Sequence, residues 1–140
     1  MIIKTESKYC DCPIHSVNAL ARILTKIADE AYAPIGLSAS YANLLSSVND
    51  RPGIQPKEIC MDLQLTPSTV TRLIEKMEYK GLLTRKNVGR ATEVYPTEAS
   101  LALNEQLEQA KINLYEKYIG AFGKDSPLVS IINEGIKKIK

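Results

Sequence analysis

Ser68, Thr69, Thr71, Arg72 and Lys76 share one short stretch with a regular apolar repeat. Val70, Leu73, Ile74 and Met77 recur at the spacing of a buried helix face, so the hydroxyls and cations fall opposite it or on its flanks. Short hydroxyls with an arginine one turn on can hydrogen-bond base edges or phosphate oxygens. Past Gly81, Arg85, Lys86 and Arg90 add further cations. From Thr66 to Arg90 six cations face two glutamates, a local charge of +4, while the whole chain of 140 residues carries only +2. A local basic footprint of this kind is what phosphate binding requires.

A second cluster is Cys10, Cys12 and His15. Three readings stay open. The thiols are incidental, as structural cysteines often are. Or one thiol senses oxidants, because a helix N-terminus lowers a thiol pKa and oxidation can lead to a disulfide, although Asp11 works against that lowering. Or two thiolates and an imidazole bind zinc or copper(I), with a dimer mate or water completing the set. No other constellation supports chemistry. The chain has one His, no Trp, no glycine-rich phosphate loop, no Ser/His/Asp set and no paired carboxylates on a shared site. It is not expected to be an enzyme, and no cofactor is implied.

The cationic face needs a frame. Thr66 is placed to cap the helix, Pro67 occupies a first helical position where a missing N–H costs nothing, and Gly81 suits the stop. Before it, Gln55-Pro56 opens a short helix with Ile59, Cys60 and Leu63 inward, and Leu65 leads into the turn. Two short helices around a tight turn fit the helix-turn-helix pattern. Residues 82–86 and 91–95 then read as two short strands with Asn87-Val88-Gly89-Arg90 as the tip, so the unit is a winged helix. A recognition helix meets the major groove with its N-terminal residues, so Thr69, Thr71 and Arg72 are expected at bases or nearby phosphates and Ser68 at the backbone. Lys76 joins them, with Arg85, Lys86 and Arg90 on phosphate or in the minor groove.

The segments LTPSTVTRLIEKMEYKGLLTRK and GRATEVYPTEAS resemble the MarR family of bacterial regulators, and the resemblance covers nearly the whole chain. It implies dimerisation through the first and last two helices. It also implies a crevice for small, often aromatic anions, lined here by Val17, Leu24, Tyr32, Tyr41 and Leu45; plain core packing is the other reading of each. Some MarR-like proteins sense hydroperoxides through a cysteine near the start of the first helix, which points to Cys10 or Cys12. The wing departs from the family pattern. Arg90 is present, but Val88 stands where an aspartate is usual, Pro96-Thr97 replaces Leu-Thr, and Ser100 replaces a glycine.

The rest of the chain is helical. Residues 1–9 are polar and expected to fray. A long helix then carries Ile14, Val17, Leu20, Ala21, Leu24, Ile27, Ala28 and Ala31 as its stripe and stops before Ala33-Pro34-Ile35-Gly36. Ser38 is placed to cap a second helix with Tyr41, Leu44, Leu45 and Val48 inward. Thr97 is placed to cap a helix of about 23 residues, roughly 35 Å long. A last helix follows Ser126-Pro127, with Leu128, Ile131, Ile132, Ile136 and Ile139 on one face. These terminal helices carry more apolar surface than the winged unit can cover, so a second copy is expected. The fold class is mainly α with a small β-hairpin wing: a winged helix-turn-helix (38–96) flanked by N-terminal (1–37) and C-terminal (97–140) dimerisation helices. The expected function is a homodimeric transcriptional regulator, more a repressor than an activator, on double-stranded DNA with an inverted-repeat operator. A small-molecule effector or thiol oxidation would release it. No signal peptide or membrane span is expected, and an odd cysteine count makes the cytoplasm the expected compartment. The rival reading of the winged unit is a protein-interaction module.

Overall fold

A computed structural model describes residues 7–140. The expectation of a frayed start lies outside the described residues for 1–6. Ser7 to Cys12 form a turn, with the Cys10 N–H on the Ser7 carbonyl (3.0 Å) and the Cys12 N–H on that of Tyr9 (2.9 Å). The elements that follow are α1 (Pro13–Tyr32), a 3-10 turn (Ala33–Ile35), α2 (Ala39–Asp50), α3 (Pro56–Leu63) and α4 (Pro67–Tyr79). A hairpin of β1 (Leu83–Val88) and β2 (Ala91–Pro96) comes next, then α5 (Glu98–Ala102), α6 (Asn104–Phe122) and α7 (Leu128–Ile139). Among the described residues no helix is long and apolar enough to cross a membrane.

The core sits under the helix-turn-helix. Leu44, Leu45 and Val48 of α2, Ile59 of α3, and Val70, Ile74 and Met77 of α4 are buried together with Leu83, Val94 and Leu107. The β-branched and long apolar side chains of three helices thus close over one face of the hairpin base. A third strand-like contact, Ile54 against Val94, ties the loop before α3 to β2.

Three expectations need correction. Ser38 occupies the cap position of α2 with extended backbone, but its side chain makes no cap bond. The Asp29 carboxylate of α1 accepts from the Ala39 N–H instead, at 2.8 Å. The hairpin tip is two residues, Gly89-Arg90, because Val88 pairs with Ala91. Gly89 has φ +62° and Arg90 does not share the positive angle, the pattern of a II′ turn that matches strand twist. Lastly, the helix after Thr97 is in two pieces, α5 and α6, with a break at Leu103.

The break has a tertiary cause. Ser100 is fully buried, and its hydroxyl donates to the Asn49 Oδ1 at 2.9 Å. The Asn49 amide in turn donates to the Ser100 carbonyl (3.3 Å) and to Asn104 Oδ1 (3.4 Å). The Leu103 N–H bonds the same carbonyl at 3.0 Å, an i→i+3 bond. A side chain inserted into the backbone ladder bends a helix at that point.

The terminal helices leave much apolar surface open. In α1 only Tyr32 is fully buried, while Ile14 and Val17 are exposed. Thus the first half of the expected stripe faces outward in a single chain. No residue of α7 is buried, and Val129, Ile131, Ile132 and Ile139 are exposed.

Candidate nucleic-acid interface

The α4 helix starts and stops as its residues dictate. Thr66 is extended and its Oγ1 accepts from the Thr69 N–H at 3.4 Å, with Pro67 in the first turn. At the other end Gly81 has φ +76°, a left-handed angle that glycine adopts at no steric cost. Its N–H bonds the Glu78 carbonyl (2.9 Å), and the Leu82 N–H bonds that of Met77 (2.8 Å). This paired closure is the Schellman arrangement. Thr66→Ala should therefore lower stability by about 1 kcal/mol. Urea denaturation checks it, and an unchanged midpoint would mean the cap contributes nothing.

Ser68, Thr71, Arg72 and Lys76 are exposed on α4, and Thr69 is half-buried. The hydroxyls are not equally free. Thr69 Oγ1 shares a hydrogen bond with Thr66 Oγ1 (2.8 Å), and Thr71 Oγ1 donates to the Pro67 carbonyl (2.9 Å). Ser68 Oγ has only a long contact to Thr66 Oγ1, at 3.4 Å. Glu75 and Tyr79 are exposed on the same helix.

The hairpin contributes Arg85, Lys86 and Arg90, all exposed. Among the described residues Arg72, Lys76, Lys86 and Arg90 form no ion pair, whereas Arg85 Nη2 lies 2.7 Å from Glu78 Oε1. Sequence reasoning missed this role of Glu78. Its only signal was a carboxylate in the last turn of α4, ahead of the hairpin cations. The hairpin base is anchored twice more: Thr97 Oγ1 donates to the Gly81 carbonyl (2.7 Å), and the Thr97 N–H to that of Leu82 (3.2 Å). On β2, the Tyr95 hydroxyl donates to Glu93 Oε1 at 2.7 Å. That bond, then desolvation and the carboxylate's charge, push the phenol above its usual pKa.

A capping contact before α3 was also missed. Glu58 Oε1 accepts from the Gln55 N–H (3.1 Å), and its other oxygen pairs with Arg51 (2.7 Å). Here the signal was present, a glutamate three residues beyond the cap position.

Cys10 and Cys12 are exposed free thiols. Cys12 stands at the α1 cap position but makes no side-chain cap bond. The His15 ring lies against Tyr9, centroids 5.4 Å apart. Among the described residues no group of three or more His, Cys, Asp and Glu converges to hold a metal ion.

The five residues expected to line an effector crevice are not brought together around one cavity. Tyr32 and Leu45 belong to the core, Val17 is exposed, and Tyr41 is half-buried against the core. Burial pushes the Tyr32 phenol up, and Glu108 adds to the effect. Among the described residues an apolar groove of about 650 Å³ runs between α1 and α6. Leu20, Leu24, Ile27, Leu114, Tyr118 and Phe122 line it, with Lys111 and Lys117 also contributing. Leu24 alone of the five belongs to it.

Residues 37–87 match the model of the MarR family. The uncharacterized HTH-type transcriptional regulator YwoH of Bacillus subtilis is 34% identical over 73 residues, 52% of this chain. The match spans about half of that relative as well, 53%. Three solved structures are similar in fold. MepR of S. aureus, in a DNA complex, gives a TM-score of 0.80 at 14% identity over 91% of this chain and 98% of that one. A mutant E. coli MarR complexed with operator DNA gives 0.77 at 18% identity over 96% and 99%. A MarR protein from Peptoclostridium difficile gives 0.74 at 24% identity over 99% and 91%. The match over residues 37–87 makes that segment similar to the MarR family, and the fold shared along nearly the whole length is that of a winged helix-turn-helix protein.

Proposed function

We propose that the protein is a sequence-specific DNA-binding transcriptional regulator, a homodimer acting on an inverted repeat. The observation that carries the reading is the exposed cationic set on α4 and the hairpin, Arg72, Lys76, Lys86 and Arg90, which forms no ion pair among the described residues. Arg72 lies one turn into α4 and reads a base edge. Ser68 meets the backbone, Thr69 and Thr71 pack beside the bases, and Lys86 and Arg90 take phosphate or the minor groove. Two proteins of the same fold are in complex with DNA, which supports DNA as the partner. Residues 1–37 and 97–140 hold the dimer, which the bare apolar faces of α1 and α7 support. In this reading the mode of action is repression, by occupancy of the operator.

The test is a binding titration on mixed-sequence duplex DNA over a series of salt concentrations. Affinity should fall steeply and linearly on a log–log plot, with a slope set by the number of phosphates neutralised. A protein without affinity for duplex DNA at low salt would be an interaction module instead.

Release has two candidate triggers. The exposed free thiols Cys10 and Cys12 favour oxidation, and the α1–α6 groove with Lys111 and Lys117 favours a small amphipathic anion. Peroxide is expected to release wild-type protein from a selected duplex, and a reductant to restore binding. A variant with Cys10→Ser and Cys12→Ser should bind normally and ignore peroxide. A wild type indifferent to peroxide would leave release to the groove, testable with a simple aromatic carboxylate.

A further inference from the structure

Arg85 differs from the other cations of the interface. It lies two residues after buried Leu83 and directly across from buried Val94. Side chains alternate along a strand, so Arg85 shares the hairpin face that covers the core, while Lys86 points the other way. Its guanidinium meets Glu78 in the last turn of α4 at 2.7 Å. This is the one ion pair between α4 and the hairpin among the described residues. Both side chains are partly covered, Arg85 38% and Glu78 29% exposed.

We propose that the Glu78–Arg85 pair is a positioning clamp that sets the angle between the recognition helix and the wing, and that Arg85 is not a phosphate ligand. The proposal rests on the DNA-binding reading above. Three residues connect α4 to β1, and the hairpin base is seated by buried Leu83 and Val94 and by Thr97. Arg85 lies beyond that seat, so the pair ties the outer length of the hairpin back to the helix. To reach a phosphate, Arg85 would abandon one anion for another and strand the Glu78 carboxylate near the DNA backbone. Held in place, it neutralises that carboxylate and keeps Arg90, at the tip, in register with Arg72 on the helix. Register matters only when helix and wing engage one site together, so the clamp acts on preference rather than on general affinity.

The experiment compares wild type, Glu78→Gln, Arg85→Gln and the charge swap Glu78→Arg with Arg85→Glu, which preserves net charge. One arm uses protein alone and follows amide hydrogen exchange over residues 83–96. Exchange should quicken in both single variants and return towards wild type in the swap. The other arm measures affinity for the duplex that wild type selects from a random pool, and for calf-thymus DNA. Each single variant should lose about two- to fivefold in preference for the selected duplex, the range of a partly exposed ion pair, with the swap restoring most of it. Glu78→Gln should bind calf-thymus DNA at least as well as wild type, having one negative charge fewer. If Arg85→Gln instead weakens both DNAs equally and lowers the salt slope by about one unit, Arg85 is a phosphate ligand and the clamp is overturned. Unchanged exchange in both single variants overturns it as well. If wild type selects no duplex, the regulator reading falls, and the exchange arm still decides whether the pair holds the wing.

Discussion

At micromolar concentration wild type is expected to sediment as a dimer and the double variant Ile131→Glu, Ile132→Glu as a folded monomer. Both side chains are exposed in the single chain, at 62% and 44%, and no residue of α7 is fully buried. The monomer fold therefore loses little packing, and its helical circular dichroism should be unchanged. At a two-fold interface each glutamate would be buried beside apolar partners and repeated across the axis. An uncompensated buried charge costs about 3–5 kcal/mol. The dimer should thus weaken by at least about a hundredfold. DNA affinity should fall with it, because half-sites are then bound one at a time. A double variant that dimerises as wild type does would remove α7 from the interface. A wild type that stays monomeric would remove the inverted repeat from the account.

Arg72→Ala should cost about 1–3 kcal/mol for each base that the guanidinium no longer grips, and relax preference at one position per half-site. Arg72 is exposed and forms no ion pair among the described residues, so its removal disturbs neither the core nor a bridge. Arg90→Ala makes the contrast. At the tip of the hairpin it should weaken binding to all duplexes alike and lower the salt slope by about one unit for each phosphate left without its cation. Titrations of both variants over several salt concentrations, on selected and scrambled duplexes, separate base reading from phosphate binding. An Arg90→Ala variant altered only in sequence preference would mean that the wing, with Val88 in place of an acid, reads rather than grips.

The helix-turn-helix was legible because its signals are local. Thr66, Pro67 and Gly81 act on the backbone within a few residues of themselves, and Val70, Ile74 and Met77 follow a period that needs no partner to be seen. The hairpin was legible in place but not in length, since strand pairing carries on to Val88 and Ala91 and leaves only Gly89-Arg90 to turn. What escaped was tertiary. The break at Leu103 depends on Asn49, far away in the chain, reaching the Ser100 carbonyl. The cap of α2 comes from Asp29 of α1, not from Ser38. On α1 the apolar period was correct, but periodicity reports a face and not what covers it, so Ile14 and Val17 lie bare in the single chain. The interface cations were likewise named by type. Only geometry separated Arg85, held by Glu78, from Lys86 beside it, and showed that the hydroxyls of Thr69 and Thr71 already have partners.

The most direct test of α4 as the base-reading helix is selection of bound fragments from random duplex DNA, run side by side with wild type and Arg72→Ala. Wild type should enrich an inverted repeat with half-sites about one helical turn apart and a guanine in each that arginine can grip at two atoms. Arg72→Ala should enrich the same repeat with that guanine no longer preferred. Enrichment of no sequence by wild type, or of an identical sequence by both proteins, would contradict the placement of α4 in the major groove.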